Sequence, residues 1–120
     1  MNKKTLVLGA SDNPFRYSYL AVNALQSKGH DVMAIGSRPG KVGQVEIDTK
    51  KKNITGLDTV TLYLNPSNQK QYYDYILSLH PKRIIFNPGA ENEELSSIAK
   101  ENGILAQEAC TLVLLSTGQY

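Results

Sequence analysis

The 120 residues suffice for one domain, residues 1–120, and 41% hydrophobic with 20% charged residues is the composition of a globular chain. The single cysteine excludes an internal disulfide, and no stretch approaches the ~20 apolar residues of a membrane span, which predicts a cytoplasmic protein. A net charge of +2 without tryptophan argues against a nucleic-acid interface, and no metal centre is expected from one cysteine and two distant histidines.

Short apolar runs rich in β-branched residues, most of them ended by glycine, asparagine or proline, are typical of buried strands. The main strands predicted from this pattern are Thr5–Leu8, Asp31–Ile35, Thr59–Leu64, Arg83–Phe86 and Ile104–Gln107. A further short strand is expected at Val45–Ile47, inside an irregular and glycine-containing stretch.

Segments with apolar residues at helical spacing alternate with these strands. The helices predicted are Ser18–Lys28, Ser67–Leu79 and Glu91–Asn102, with a final helical piece at Ala109–Leu115. The residues of the first helix expected to face inward are Leu20, Ala21, Ala24 and Leu25. The alternation favours an α/β, Rossmann-like, doubly wound fold of three layers (α/β/α) with a mostly parallel sheet of five or six strands. The expected order of the five main strands is 3-2-1-4-5.

In an open parallel sheet, ligands bind in the crevice at the carboxyl ends of the strands. Small, polar or proline residues follow four of the predicted strands and leave the backbone open to a ligand. These strand ends are Gly9-Ala10-Ser11, Gly36-Ser37-Arg38, Asn65-Pro66 and Asn87-Pro88-Gly89. We therefore expect a ligand site at this edge of the sheet.

The loop after the first strand is the most specific of the four. Gly9 lets the backbone turn sharply toward a phosphate, and the N–H groups that open the following helix favour an anion. Arg16 can grip phosphate oxygens with two donors, and Ser11 and Ser18 add hydroxyls. The loop matches neither G-x-G-x-x-G nor G-x-x-x-x-G-K-[ST], so the alternative that Ser18 simply caps the helix stays open.

The end of the second strand argues against a simple NAD site. Such a site places Asp or Glu there for the ribose hydroxyls, whereas this chain has Ser37 and Arg38. Serine and arginine suit a phosphate near the adenosine ribose, as in NADP or coenzyme A, although a solvated arginine is the alternative. The consecutive lysines Lys50–Lys52 likewise suit either a solvated loop or a nearby anionic ligand.

Two segments resemble the stand-alone CoA-binding domain family, which is related to the N-terminal nucleotide-binding domain of the succinyl-CoA synthetase alpha subunit. They are V-L-G-A-S-D-N-P-F-R-Y-S-Y, residues 7–19, and N-P-G-A-E-N-E-E, residues 87–94. The resemblance covers almost the whole chain and implies a Rossmann-like domain that holds the ADP part of coenzyme A. The positions that this resemblance and the strand ends together assign to the ligand are Gly9, Ala10, Ser11, Asn13, Arg16 and Ser18 in the first loop, Gly36, Ser37 and Arg38 after the second strand, Asn65 and Pro66 beside the adenine, and Asn87, Pro88 and Gly89 along the crevice wall.

No catalytic constellation is evident. His30 and His80 are predicted to end helices, and Cys110 is predicted to be a small buried residue rather than a nucleophile. The leading interpretation is a non-catalytic binding or regulatory module for coenzyme A or an acyl-CoA. An NADP- or other nucleotide-using small enzyme, and a degenerate Rossmann domain that acts by protein contact, are the alternatives. A homodimer or another protein partner is compatible with these interpretations.

Overall fold

A seven-stranded sheet forms the middle layer of the molecule. The structure is a computed structural model that describes residues 2–120. Its strands are β1 (Thr5–Leu8), β2 (Val32–Ile35), β3 (Gly40–Val42), β4 (Val45–Asp48), β5 (Thr59–Leu62), β6 (Arg83–Phe86) and β7 (Leu105–Glu108). They lie in the order β3-β4-β2-β1-β5-β6-β7, with β3 and β4 antiparallel and the other neighbouring pairs parallel. The predicted α/β, Rossmann-like class is confirmed.

The order predicted for the five main strands is wrong. The third of them, β5, pairs with β1, so that the main strands run 2-1-3-4-5 rather than 3-2-1-4-5. The place beside β2 is taken by β4, the short strand expected near residues 45–47, and the backbone N–H of Gly36 donates to the carbonyl of Asp48 at 2.9 Å. Its hairpin partner β3 was not predicted and brings the count to seven.

Five helices cover the two faces of this sheet. They are α1 (Tyr17–Ser27), α2 (Pro66–Gln69), α3 (Tyr73–Ser78), α4 (Glu93–Glu101) and α5 (Thr111–Ser116). The apolar residues of α1 and α5 pack against one face, and those of α3 and α4 against the other, which makes the three predicted layers. Within residues 2–120, no helix has the length and apolar character needed to cross a bilayer.

The long second helix predicted from the sequence is broken by a 3-10 turn, Lys70–Tyr72, between α2 and α3. Gln69 anchors α2, because its buried side-chain amide donates to the carbonyls of Leu64 and Ala90, both at 2.8 Å. At Tyr72 the backbone angles (φ −105°, ψ −1°) depart from those of an ideal α-helix. The break matters for function, because residues of the 3-10 turn border the crevice described below.

The central strands are buried on both faces, as expected for a covered parallel sheet. In β1, Leu6 and Leu8 point toward α3 and α4, while Val7 points toward α1 and α5, and all three are fully buried. The inward face predicted for α1 is partly wrong, since Leu20 is exposed and Val22 is buried in its place. The buried positions of α1 follow the i, i+3, i+4, i+7 spacing that begins at residue 18.

Tyr120 closes the edge of the sheet where the parallel strands begin. Its hydroxyl shares a 2.6 Å hydrogen bond with the Thr5 hydroxyl. The guanidinium carbon of Arg83 lies 4.5 Å from the centre of its ring, and the His30 ring lies 5.0 Å from it. This amino-terminal edge is therefore packed with side chains, in contrast to the opposite edge.

His30 should make the stability of this edge depend on pH. Burial is the main cause that lowers the pKa of His30, and the charges of Lys3 and Arg83 lower it further against the opposing effect of Asp58. The His30 Nδ1 also accepts a 2.9 Å hydrogen bond from the Lys3 backbone N–H, which only the neutral ring can do. The folded state therefore binds this proton less readily than the unfolded chain. We expect the free energy of unfolding to fall as pH drops below the ordinary histidine value of 6.5.

Denaturant unfolding between about pH 7.5 and 5.5 checks this dependence, because histidine titrates in that range. His30→Gln should flatten the pH dependence, because it removes the ring whose neutral form the fold favours. Equal slopes for the wild type and the His30 variant would contradict the assignment.

Candidate functional site

A crevice of about 720 Å³ opens at the carboxyl edge of the sheet, where β1, β2 and β5 end. This edge is where ligands bind in open α/β sheets. Its lining comes from the loop between β1 and α1, the end of β2, and the segment that runs from β5 to the 3-10 turn. The lining residues are Gly9, Ala10, Ser11, Asp12, Asn13, Arg16, Tyr17, Ser18, Gly36, Ser37, Arg38, Tyr63, Leu64, Asn68, Gln71 and Tyr72.

Two glycines let the backbones approach closely at the floor of the crevice. Gly9 has φ +92°, and a Cβ there would lie 2.7 Å from the carbonyl oxygen of Tyr63. A Cβ on Gly36 would overlap the carbonyl oxygen of Ala10. The N–H groups of Gly9 and Ala10 both donate to the carbonyl of Ile35 at 2.9 Å, which holds the ends of β1 and β2 together. The floor is therefore bare, rigid backbone.

The loop from β1 to α1 is held by its own polar groups. The Ser11 hydroxyl accepts from the backbone N–H of Asn13 at 3.1 Å, and the Asn13 side-chain oxygen accepts from the N–H of Phe15 at 3.0 Å. The carbonyl of Asn13 accepts from the N–H of Arg16 at 3.0 Å. These bonds fix the path of the loop in advance of any ligand, which lowers the entropic cost of binding.

The N-terminus of α1 points its free donors at the crevice. Arg16 occupies the N-cap position, and no side chain among residues 2–120 caps this end. Ser18 lies in the first turn and is buried, so the alternative that it merely caps the helix is wrong. The first backbone N–H groups of α1 and the positive end of its dipole are thus available to an anion.

Positive charge predominates along the lining. Arg16 and Arg38 are exposed on it, and Asp12 is its one carboxylate. The Asp12 carboxylate lies against β3, so close that a Cβ on Gly40 would come within 2.7 Å of it. A lining that carries two guanidinium groups and uncapped helix donors is suited to phosphate.

Besides Asp12 and Tyr17, five lining residues were not predicted from the sequence, and together these five form the second wall of the crevice. They are Tyr63, Leu64, Asn68, Gln71 and Tyr72. The sequence predicts Tyr63 and Leu64 as the last residues of a strand, but β5 ends at Leu62 and both residues follow the strand end. Tyr72 was predicted to pack inward. Its half-buried ring contacts the core as predicted, and it also borders the crevice.

Tyr63 carries a buried hydroxyl that has no hydrogen-bond partner among residues 2–120. The hydroxyls of Thr61 and Thr111, which face it, bond to one another at 2.8 Å. Burial is the main cause that raises the pKa of Tyr63 well above its ordinary value, so the side chain stays neutral at physiological pH. Cys110, also near this ring, is half-buried, whereas the sequence predicted a buried residue.

Asn65, Pro66, Asn87, Pro88 and Gly89 do not line the crevice. Asn65 caps α2, since its side-chain oxygen accepts from the Asn68 N–H at 2.9 Å, and Pro66 is the first residue of that helix. Pro88 and Gly89 are exposed, and the Gly89 N–H donates to a Glu91 carboxylate oxygen at 2.8 Å.

The Asn87 side-chain amide makes its hydrogen bonds within the fold. Its amide nitrogen donates to the Thr61 hydroxyl at 2.7 Å and to the Leu62 carbonyl at 2.8 Å, and its oxygen accepts from the Thr111 N–H at 2.9 Å. Asn87 is fully buried and thereby joins β6, β5 and α5. The amide that was expected to meet a ligand here stabilises the sheet and α5 instead.

Comparison with known proteins places this geometry in a family. The sequence matches the model of the family described as CoA binding domain over residues 3–116. An uncharacterized protein of known crystal structure is 52% identical, covers 100% of this chain and 99% of its own, and superposes with a TM-score of 0.97. A search among curated proteins gives no match.

More distant structures share the fold. A hypothetical protein from Pyrococcus horikoshii OT3 is 23% identical, with a TM-score of 0.84, over 96% of this chain and 82% of the other. The dinucleotide-forming acetyl-coenzyme A synthetase 1 of Ca. Korarchaeum cryptofilum, in complex with phosphate and ADP, is 18% identical, with a TM-score of 0.68. It matches over 88% of this chain and 25% of its own. At these identities the likeness concerns the fold alone.

Proposed function

The chain belongs to the CoA-binding domain family, and from that premise we propose that it binds coenzyme A or an acyl-CoA through the ADP part, in the crevice at the carboxyl edge of the sheet. The observation that carries this proposal is the uncapped N-terminus of α1 above a floor of bare backbone at Gly9 and Gly36. Such a cradle has donors for a pyrophosphate and no side chain in the way.

The residues present fit this ligand. The pyrophosphate would lie on the first N–H groups of α1 and on the loop of residues 9–13, with the Arg16 guanidinium beside it. The adenosine would extend between the end of β2, at Ser37 and Arg38, and the wall formed by Gln71 and Tyr72. The crevice volume of about 720 Å³ lies within the range of small-molecule sites.

We further propose that the chain acts as a binding or regulatory module rather than as an enzyme. The crevice lining supplies arginines, hydroxyls and backbone N–H groups suited to binding, and its one carboxylate, Asp12, lies against Gly40. NADP is the second candidate ligand, because Ser37 and Arg38 at the end of β2 suit a phosphate on an adenosine ribose.

Thermal unfolding in the presence of coenzyme A, acetyl-CoA, NADP, NAD and ATP tests the proposal. A ligand at 100 times its dissociation constant stabilises the folded state by about 2.7 kcal/mol, which raises Tm on the order of 10 °C for a domain of this size. We expect this rise with the coenzyme A compounds. A rise with NADP alone would favour the second candidate, and no rise with any of the five compounds would contradict nucleotide binding.

A further inference from the structure

The proposed binding mode assigns no role to the lysines Lys50–Lys52. These lysines lie at the same edge of the sheet as the crevice. They follow β4, which is parallel to β2, so the two strands end at the same edge. The Lys50 backbone N–H donates to the Asp48 carboxylate at 2.9 Å, which turns the chain away from the end of β4. The run then crosses toward the segment that contains α2, the 3-10 turn and α3.

The three lysine side chains have different surroundings. Lys52 forms a 2.8 Å ion pair with Asp48, which occupies its charge. The Lys51 ammonium donates to the carbonyl oxygen of Gln71 at 2.7 Å and lies 5.4 Å from the centre of the Tyr72 ring. No ion pair or hydrogen bond of the Lys50 side chain appears within residues 2–120. Lys51 is therefore the lysine that is attached to the wall of the crevice.

The Lys51 ammonium has hydrogen-bond donors at this wall that the Gln71 carbonyl does not use. An ammonium group carries three donors, and the Gln71 carbonyl takes one of them. Lys51 is exposed, and within residues 2–120 no carboxylate forms an ion pair with it. A flexible four-carbon stem lets the ammonium follow an anion that enters beside Gln71 and Tyr72.

The position of this wall indicates which anion it meets. With the pyrophosphate on the loop before α1, the adenosine ribose extends toward the end of β2, between Arg38 and the Gln71–Tyr72 wall. We propose, on the basis of the proposed function, that Lys51 is a specificity-determining residue that binds the phosphate carried by the adenosine ribose. The chain then prefers coenzyme A to 3′-dephospho-coenzyme A, and the same chemistry would favour NADP over NAD.

Calorimetric titration of the full chain with coenzyme A and with 3′-dephospho-coenzyme A tests this role. Lys51→Gln should weaken coenzyme A binding about tenfold, the scale of a hydrogen bond to a charged group, and change the affinity for the dephosphorylated ligand less than about twofold. Lys50→Gln removes the same charge one residue away and should leave both affinities unchanged. Lys51→Arg should restore the preference for coenzyme A, and the NADP and NAD pair reports the 2′-phosphate in the same way.

The outcomes separate the alternatives. An equal loss for both ligands in Lys51→Gln would mean that Lys51 only supports the wall, and no loss would mean that it does not touch the phosphate; either result overturns the proposal. A wild-type chain that binds coenzyme A and its dephosphorylated form equally well also overturns it while leaving the proposed function intact. A wild-type chain that binds neither ligand overturns the proposed function itself.

Discussion

Replacing Gly9 by alanine should lower the free energy of unfolding by about 2–5 kcal/mol, because the new methyl group adds backbone strain and a collision at the crevice floor. Gly9 has φ +92°, a conformation that side chains rarely adopt, and its Cβ would lie 2.7 Å from the Tyr63 carbonyl oxygen. That oxygen is backbone, so it cannot move aside as the end of a flexible side chain would. The backbone at the crevice floor must therefore shift. Because this floor is where the ligand is proposed to lie, coenzyme A binding should be lost.

Gly89→Ala is the matched control for this variant. Gly89 has the same φ of +92°, but a Cβ there would meet no atom within 4 Å. Its cost should be strain alone, about 1–2 kcal/mol. Urea unfolding of both variants measures the difference, and equal destabilisation would contradict the account of a floor that admits only glycine.

Replacing Arg16 by alanine should weaken coenzyme A binding by roughly 1.5–3 kcal/mol, the range for hydrogen bonds to charged groups. This corresponds to a dissociation constant raised on the order of 10- to 100-fold. The side chain is exposed at the N-cap of α1 and makes no capping hydrogen bond, so the fold does not depend on it. Calorimetric titration measures the affinity, and the Tm without ligand should stay close to that of the wild type.

Lys28→Ala provides the charge control, since Lys28 is the C-cap residue at the far end of the same helix. Both variants lose one positive charge, and only the Arg16 variant loses it at the crevice. If the two variants bind coenzyme A equally well, Arg16 has no part in the site.

Local sequence patterns suffice to predict the part of the crevice lining that one loop builds. A buried strand, Gly9, a polar loop and a helix follow one another within about a dozen residues, and the structure places the whole set predicted for this loop on the crevice. The same holds for Gly36, Ser37 and Arg38 at the end of β2. In both cases neighbours in sequence are also neighbours in the site.

The second wall depends on contacts between distant residues, which a single sequence does not display. Gln71 and Tyr72 reach the crevice because the helix breaks at the 3-10 turn, and Gln69 secures α2 through the distant Ala90 carbonyl. The ligand contact predicted for Asn87 fails for the same reason. A polar residue at a strand end suggests such a contact, but the Asn87 side chain bonds to Thr111, which lies 24 residues away in the sequence.

The β3–β4 hairpin did leave a local signal. Val42 and Val45 flank the two residues Gly43 and Gln44, and a glycine in a two-residue connection is typical of a hairpin turn. Gly43 has φ +59°, as such turns require. In the sheet, β4 of this hairpin takes the place beside β2 that the predicted strand order gave to β5.

A crystal structure of the complex with coenzyme A would show directly where the ligand lies on the chain. We expect the pyrophosphate on the first N–H groups of α1 beside Arg16, and the adenosine between Arg38 and the Gln71–Tyr72 wall. A smaller cavity of about 310 Å³, bordered by Lys41 and Lys52, offers a different place for the ligand. Coenzyme A bound there, or anywhere away from the loop that follows β1, would contradict the account.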